Sequence, residues 1–139
     1  FLIIDFEGEP ARPLAERRAK HCALRDVAGM LRSFSYAAFV SRYRLTAERP
    51  ADFDTLAPYA RDWEARSRRA FLEGYEETIG DCPVYPSEPS RARELLELFT
   101  LEKVLYEIRY ELDNRPDWVE IPLEGLLGLL DSGLPDTEA

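Results

Sequence analysis

Asp26-Val27-Ala28-Gly29-Met30-Leu31-Arg32-Ser33-Phe34-Ser35-Tyr36-Ala37-Ala38-Phe39-Val40 is the stretch on which the fold turns. Val27, Met30, Leu31, Phe34, Ala37, Ala38 and Val40 recur at spacings of three and four, the mark of an amphipathic helix, and Asp26 stands where an N-cap would. The spacing predicts a helix over 26–45. Downstream, Leu56, Tyr59, Ala60, Trp63, Ala70, Phe71, Tyr75 and Ile79 repeat the pattern and stop at Gly80, a helix terminator. Arg61, Asp62, Glu64, Arg66, Arg68 and Arg69 fall on the other side of that helix and are expected to face water.

Pro83, Pro86 and Pro89 make the next segment a loop. Ser90 can then cap a long helix that reaches about Asn114 and is halted by Pro116. A shorter helix is predicted from Pro122 to just before Gly133. Upstream of Asp26, the charged and proline-broken run over 11–24 suits an irregular loop with one helical turn. Phe1 to Phe6 is an apolar run of strand length that ends at Glu7-Gly8-Glu9-Pro10. One strand cannot satisfy its own backbone, so its partner is expected outside these residues. The fold class is therefore mainly α, with one short N-terminal β-strand and about four helices.

The 139 residues carry 27 Asp or Glu against 18 Lys or Arg, a formal net charge of -9. That balance speaks against nucleic acid, whose phosphates require clustered positive charge. At 45% hydrophobic and 12% aromatic residues the chain can bury a core. Its longest apolar runs, Leu2 to Ile4 and Leu126 to Leu130, fall far short of the roughly 20 residues of a membrane helix, so no membrane role is expected. Cys22 and Cys82 lie far apart beside a single histidine, His21, and form neither a zinc set nor a disulfide framework. A reducing cytoplasm is the expected compartment.

Two places could carry chemistry. Asp5 ends an apolar strand just before a turn, where a carboxylate on rigid backbone can meet Mg²⁺ beside phosphate oxygens. Asp5-Phe6, one further residue and Gly8 also have the layout of the kinase Asp-Phe-Gly element. The second place is the helix from Ser90. At about 100° per residue, Leu98, Leu101, Leu105, Ile108 and Leu112 gather on one side as a core stripe. Lys103, Tyr106, Glu107, Tyr110 and Asn114 gather opposite. Tyrosine rings beside a carboxylate and an ammonium suit a sugar, whose C–H faces pack on aromatics while its hydroxyls pair with charges. The alternative is an i,i+4 pair of Lys103 and Glu107 with tyrosines packed on a neighbouring helix.

Asp5-Phe6-Glu7-Gly8-Glu9-Pro10 continues as Arg12-Pro13-Leu14, Glu16-Arg17-Arg18 and Lys20, then Leu24-Arg25-Asp26-Val27-Ala28-Gly29-Met30-Leu31-Arg32-Ser33-Phe34. Leu101-Glu102-Lys103, Tyr106-Glu107, Tyr110-Glu111, Asn114-Arg115-Pro116 and Trp118 follow. Together these strings resemble the maltokinases, ATP-dependent sugar kinases found alone or fused behind trehalose synthase. The resemblance implies a two-lobed kinase-like fold, akin to the aminoglycoside phosphotransferases, that converts maltose to maltose 1-phosphate in trehalose-to-α-glucan metabolism. Residues 1–139 would be part of its C-terminal lobe. The family's catalytic Asp belongs to a His-Gly-Asp-Leu-His segment that is not in this sequence, so no catalytic base is assigned here and the chain by itself is expected to be inactive.

On the same resemblance Asp5 and Glu7 would hold Mg²⁺ with ATP as co-substrate, and Asp26 would support the catalytic loop. Tyr106, Glu107, Tyr110, Arg115 and Lys103 would line the maltose pocket, with a trehalose synthase domain or subunit as a partner. His21-Cys22-Ala23 departs from the Ser-Pro that the family places before Leu-Arg-Asp. The rivals are a kinase-like phosphotransferase for another small acceptor and a non-catalytic helical docking module of a glucan-metabolising assembly. The cation Arg115 beside Glu107 speaks against an amine acceptor, which would need excess carboxylate.

Overall fold

The computed structural model describes residues 12–80 and 82–133, and among these there are five α-helices, two short 3-10 turns and no strand. The strand expected over Phe1–Phe6 lies outside the described residues, as do Asp5 and Glu7. The all-α class holds. The helices are α1 (Leu14–Arg17), α2 (Leu24–Leu45), α3 (Phe53–Ile79), α4 (Pro89–Asn114) and α5 (Glu120–Gly133), with 3-10 turns over Pro50–Asp52 and Pro116–Trp118.

The helices fall where the periodicity puts them, but their first residues differ from the sequence expectation. α2 begins at Leu24 with Ala23 as N-cap, so Asp26 lies in the first turn, where its carboxylate favours the positive end of the helix dipole. α4 begins at Pro89, whose missing N–H costs nothing at a helix start, and Ser90 is therefore inside the helix rather than its cap. α5 starts two residues before Pro122, at Glu120. The end of α3 is as expected: Gly80 takes φ 50°, a backbone conformation that side chains disfavour, and the helix stops there.

α2 is the hub, packed on α3 along one side and α4 along the other, with α5 lying across α4 and touching α2. Leu24, Val27 and Ala92 form the buried centre of a cluster that Phe71, Leu72, Tyr75, Tyr85, Leu95, Leu96 and Phe99 enclose. Burial raises the Tyr75 and Tyr85 phenols above their ordinary value. α3 packs mainly on α2, with Phe71, Leu72 and Tyr75 reaching the Ala92 cluster, and Ala57 is its one buried residue. Trp63, expected in the core, is 44% exposed.

The core stripe expected on α4 holds only in part, with Leu101 and Ile108 half-buried. Leu98, Leu105 and Leu112 are 58%, 52% and 57% exposed, while Ala92, Thr100, Val104, Glu107 and Glu111 are buried. The reason is steric and electrostatic together. Small or short residues let α4 approach α2 closely along its first half, and complementary charges hold the two together along its second. Leu126 to Leu130 lies on α5 against the bundle, with Leu127 and Leu130 more than half exposed.

Candidate functional site

Two helices build the site by presenting side chains one turn apart. Arg32, Ser35 and Tyr36 come from α2; Glu107 and Glu111 come from α4, with Arg115 just beyond its end. Arg32 is 2% exposed and its Nε donates to Glu107 Oε2 at 2.8 Å. Nη1 of the same guanidinium donates to Ser35 Oγ at 3.2 Å and Nη2 to the Ile121 carbonyl at 3.3 Å, which ties α2, α4 and α5 at one point. α5 can come this close because residue 125 is glycine. A Cβ there would lie 2.3 Å from Arg32 Nη1, an atom already held by its partners.

One turn further, the Tyr36 hydroxyl donates to Glu111 Oε1 at 2.8 Å. Burial pushes the Tyr36 phenol far above its ordinary range, and the Glu107 and Glu111 carboxylates push it the same way. Glu111, 1% exposed, also accepts from Arg115 Nε at 2.9 Å and Nη2 at 2.7 Å, a two-pronged pair of the kind that fixes a guanidinium plane. Ser35 Oγ in turn donates to Glu64 Oε1 of α3 at 2.6 Å, and Arg68 donates to that same oxygen at 3.3 Å. Glu64 and Arg68 therefore serve the bundle and are not merely a solvated face.

An aromatic strip runs along the same half of α4. The Tyr106 and Tyr110 rings stack, 6.2 Å apart and 19° from parallel. Lys103 Nζ stands 5.2 Å from the centre of the Tyr106 ring. The Arg115 guanidinium lies 5.6 Å from Tyr110 and 4.4 Å from Trp118, whose ring is also 6.5 Å from Tyr36. At the other end Arg12 sits 6.0 Å from the Tyr106 ring and donates to Glu102 at 2.8 Å, and Arg25 donates to the same Glu102 oxygen at 2.5 Å. Burial raises the Glu102 carboxyl, but the hydrogen bond from Arg12 and the charge of Arg25 outweigh it and hold Glu102 below the usual carboxylate range.

The structure thus brings Lys103, Tyr106, Tyr110 and Arg115 into one strip, while Glu107 is buried and paired with Arg32. Asn114 turns away and caps the Tyr110 carbonyl at 2.8 Å. Asp26, exposed in the first turn of α2, stands apart from this group and beside Tyr75. Asp5 and Glu7 lie outside the described residues, and no group of three metal-ligating side chains occurs among the described ones. No helix there is long and apolar enough to cross a membrane. Sequence reasoning missed Arg32, Tyr36 and Glu111 as parts of the site. The signal was present: Arg32/Tyr36 and Glu107/Glu111/Arg115 repeat at four residues on two helices and carry complementary groups.

Stacked tyrosines, an arginine 4.4 Å from a tryptophan ring centre and carboxylates paired with arginines thus share the second half of α4 and its end. The chain is 35% identical over 138 residues to a protein named glucosamine kinase from Mycolicibacterium smegmatis, a match that covers 96% of this chain and 31% of that protein. It is 29% identical over 136 residues to a glucosamine kinase of Streptacidiphilus jiangxiensis, which covers 98% of this chain and 29% of the relative. The chain therefore spans less than a third of the length of these relatives. It is related to part of a sugar kinase. No family profile matches it.

Proposed function

We propose that this chain forms part of an ATP-dependent sugar kinase and that its α2–α4 face helps to hold the acceptor, an amino sugar such as glucosamine. The observation that carries this reading is the strip of Tyr106, Tyr110, Arg115 and Trp118 on the same stretch of chain as the buried Glu107 and Glu111. A pyranose packs its C–H face on such rings, and its hydroxyls reach Lys103 and Arg115 at the edges. The amine comes from the name of the relatives, glucosamine kinase. Arg115 does not oppose an amine, because Glu111 already neutralises it with two hydrogen bonds.

In this reading the work of these residues is positioning, the main protein contribution to phosphoryl transfer. The Arg32–Glu107 pair fixes the height of α4 against α2, and Tyr36 and Arg115 together lock Glu111. Arg12 ties the N-terminal segment to Glu102 and Tyr106. It stands seven positions after Asp5, so chain length alone limits the carboxylate proposed for Mg²⁺ to about 25 Å from that anchor. Bound Mg²⁺ would supply charge neutralisation on the ATP phosphates.

The test is ADP release by the full-length kinase polypeptide with Mg²⁺ and ATP, offered glucosamine, maltose, glucose, trehalose or an aminoglycoside separately. The expected result is sugar-dependent release that is greatest with glucosamine, with Trp118→Ala raising KM at least about tenfold, or about 1.4 kcal/mol. No release with any sugar would overturn the kinase reading. Maltose is the second acceptor reading, favoured by the Asp5–Pro10 and Leu24–Phe34 strings. A preference for maltose would overturn the amino-sugar assignment alone.

A further inference from the structure

The later half of α2 and the first half of α3 enclose a groove of about 250 Å³ that shares no lining residue with the aromatic strip. Its walls include Leu45, Leu56, Tyr59 and Trp63, and at its base lies Arg42. Arg42 is 7% exposed, its Nε is enclosed without a hydrogen-bond partner, and no carboxylate among the described residues pairs with it. What it does have is aromatic: the guanidinium carbon sits 3.8 Å from the centre of the Phe53 ring and 5.5 Å from that of Phe39.

Stacking satisfies the faces of a guanidinium but none of the N–H donors in its plane, and at Arg42 the enclosed Nε has no hydrogen-bond partner. A buried cation without a counter-charge is costly, and Arg32, equally buried on the same helix, shows how this fold normally answers one, with a carboxylate at 2.8 Å. The missing element at Arg42 is therefore an anion. Arg42 is the one charged residue lining the groove, so a single negative charge matches it. The fork geometry fits a carboxylate. Exposed Tyr59 and Trp63 offer flat apolar surface for the rest of such a molecule, and the volume falls at the small end of ligand pockets.

We propose that the α2–α3 groove binds a small monocarboxylate with one aromatic or branched apolar group, its carboxylate on Arg42 and its body against Tyr59 and Trp63. This site is separate from the acceptor face, and its test does not depend on phosphoryl transfer. The full-length protein is titrated calorimetrically with phenylacetate and with neutral phenylacetamide. Phenylacetate is expected to bind with a Kd of about 1 mM or tighter, and the amide at least about tenfold more weakly. Arg42→Gln should bring the acid to the level of the amide. Tyr59→Ala, at a 72% exposed position that the fold does not need, should weaken the acid at least about threefold. Absence of binding up to about 5 mM, equal affinity for acid and amide, or undiminished binding by Arg42→Gln would each overturn the proposal. If Arg42→Gln does not fold, undiminished binding by Tyr59→Ala overturns it.

Discussion

The two long faces of α4 invert the usual arrangement. The face turned to α2 is the polar one, with Thr100, Glu107 and Glu111 at 5%, 6% and 1% exposure, and the face turned to solvent carries Leu98, Leu105 and Leu112. Along the buried face the contact is specified by direction: each carboxylate has an arginine or tyrosine aimed at it from α2 or from the end of α4. Along the other, nothing within the described residues covers the leucines. Hydrophobic burial is non-directional and would let α4 slide or rotate against α2. Charge-assisted hydrogen bonds fix register, and a fixed register is what a face that orients a ligand requires.

The comparison breaks first at Glu107. Glu107→Ala leaves Arg32 buried with its Nε unanswered, and the expected loss is about 3–5 kcal/mol of unfolding free energy. Replacing both partners, Arg32→Met with Glu107→Leu, removes the uncompensated charge and should lose less than Glu107→Ala alone. Urea denaturation of the 139-residue chain and its variants decides this. A double variant as unstable as Glu107→Ala would show that the pair acts through packing rather than charge.

Adjacent positions sharpen the contrast. Val104 is 0% exposed and Leu105 is 52% exposed. Val104→Ala removes two buried methyl groups and should cost about 2 kcal/mol, cavity included. Leu105→Ala, at an exposed helix position where alanine is the better helix former, should cost less than about 0.5 kcal/mol in the same chain. The reverse order would restore the leucine stripe as the core.

That reversal also marks how far the sequence could be read. Periodicity located α2, α3, α4 and α5 because apolar residues at three and four residues apart are a property of a helix alone. It misassigned the inner face of α4 because which side faces inward depends on the neighbour, and α2 offers Arg32 and Tyr36 there. Tyr106, Tyr110 and Arg115 were legible as a group, since one helix face and its end define it. Arg32 and Glu111 were not, because their roles exist only when two helices 75 residues apart in sequence meet. Arg42 was hidden for the opposite reason: it reads as one more charge in a charged run, and only burial exposes its missing partner.

Tyr36 couples the polar face to pH. Its phenol, ordinarily at 10.0, is raised in the folded chain by burial and by the Glu107 and Glu111 carboxylates. Its contribution is complete below the unfolded value and is lost as pH rises above it, because the unfolded chain then releases a proton that the folded chain retains. Tyr36→Phe should cost about 1–1.5 kcal/mol near neutrality by removing one of the two hydrogen bonds that Glu111 Oε1 accepts, the one from Arg115 Nη2 remaining. It should also flatten the fall in stability above about pH 10. Denaturation at neutral pH and at two alkaline values reads both effects, and an unchanged alkaline slope would assign the loss to other groups.

The smallest effect is expected at the rim. Glu102 accepts from Arg12 at 2.8 Å and Arg25 at 2.5 Å, but its side chain is 40% exposed and water screens both pairs. Its carboxyl is nevertheless held below its ordinary value of 4.5. A depressed carboxylate stabilises the fold above the unfolded value, and that contribution disappears as pH falls through the folded one. Glu102→Gln should therefore cost no more than about 0.5 kcal/mol at neutral pH, with the difference from the parent chain shrinking as acid takes the pH below the ordinary carboxyl value of 4.5. The same substitution loosens Arg12 from α4. On the kinase reading proposed above, in the full-length protein it should thus disturb catalysis more than stability, with a larger fractional change in kcat/KM than the stability loss accounts for. Equal small changes in both would make Arg12–Glu102 an ordinary surface pair, and the anchoring of the N-terminal segment would then rest on the Tyr106 contact alone.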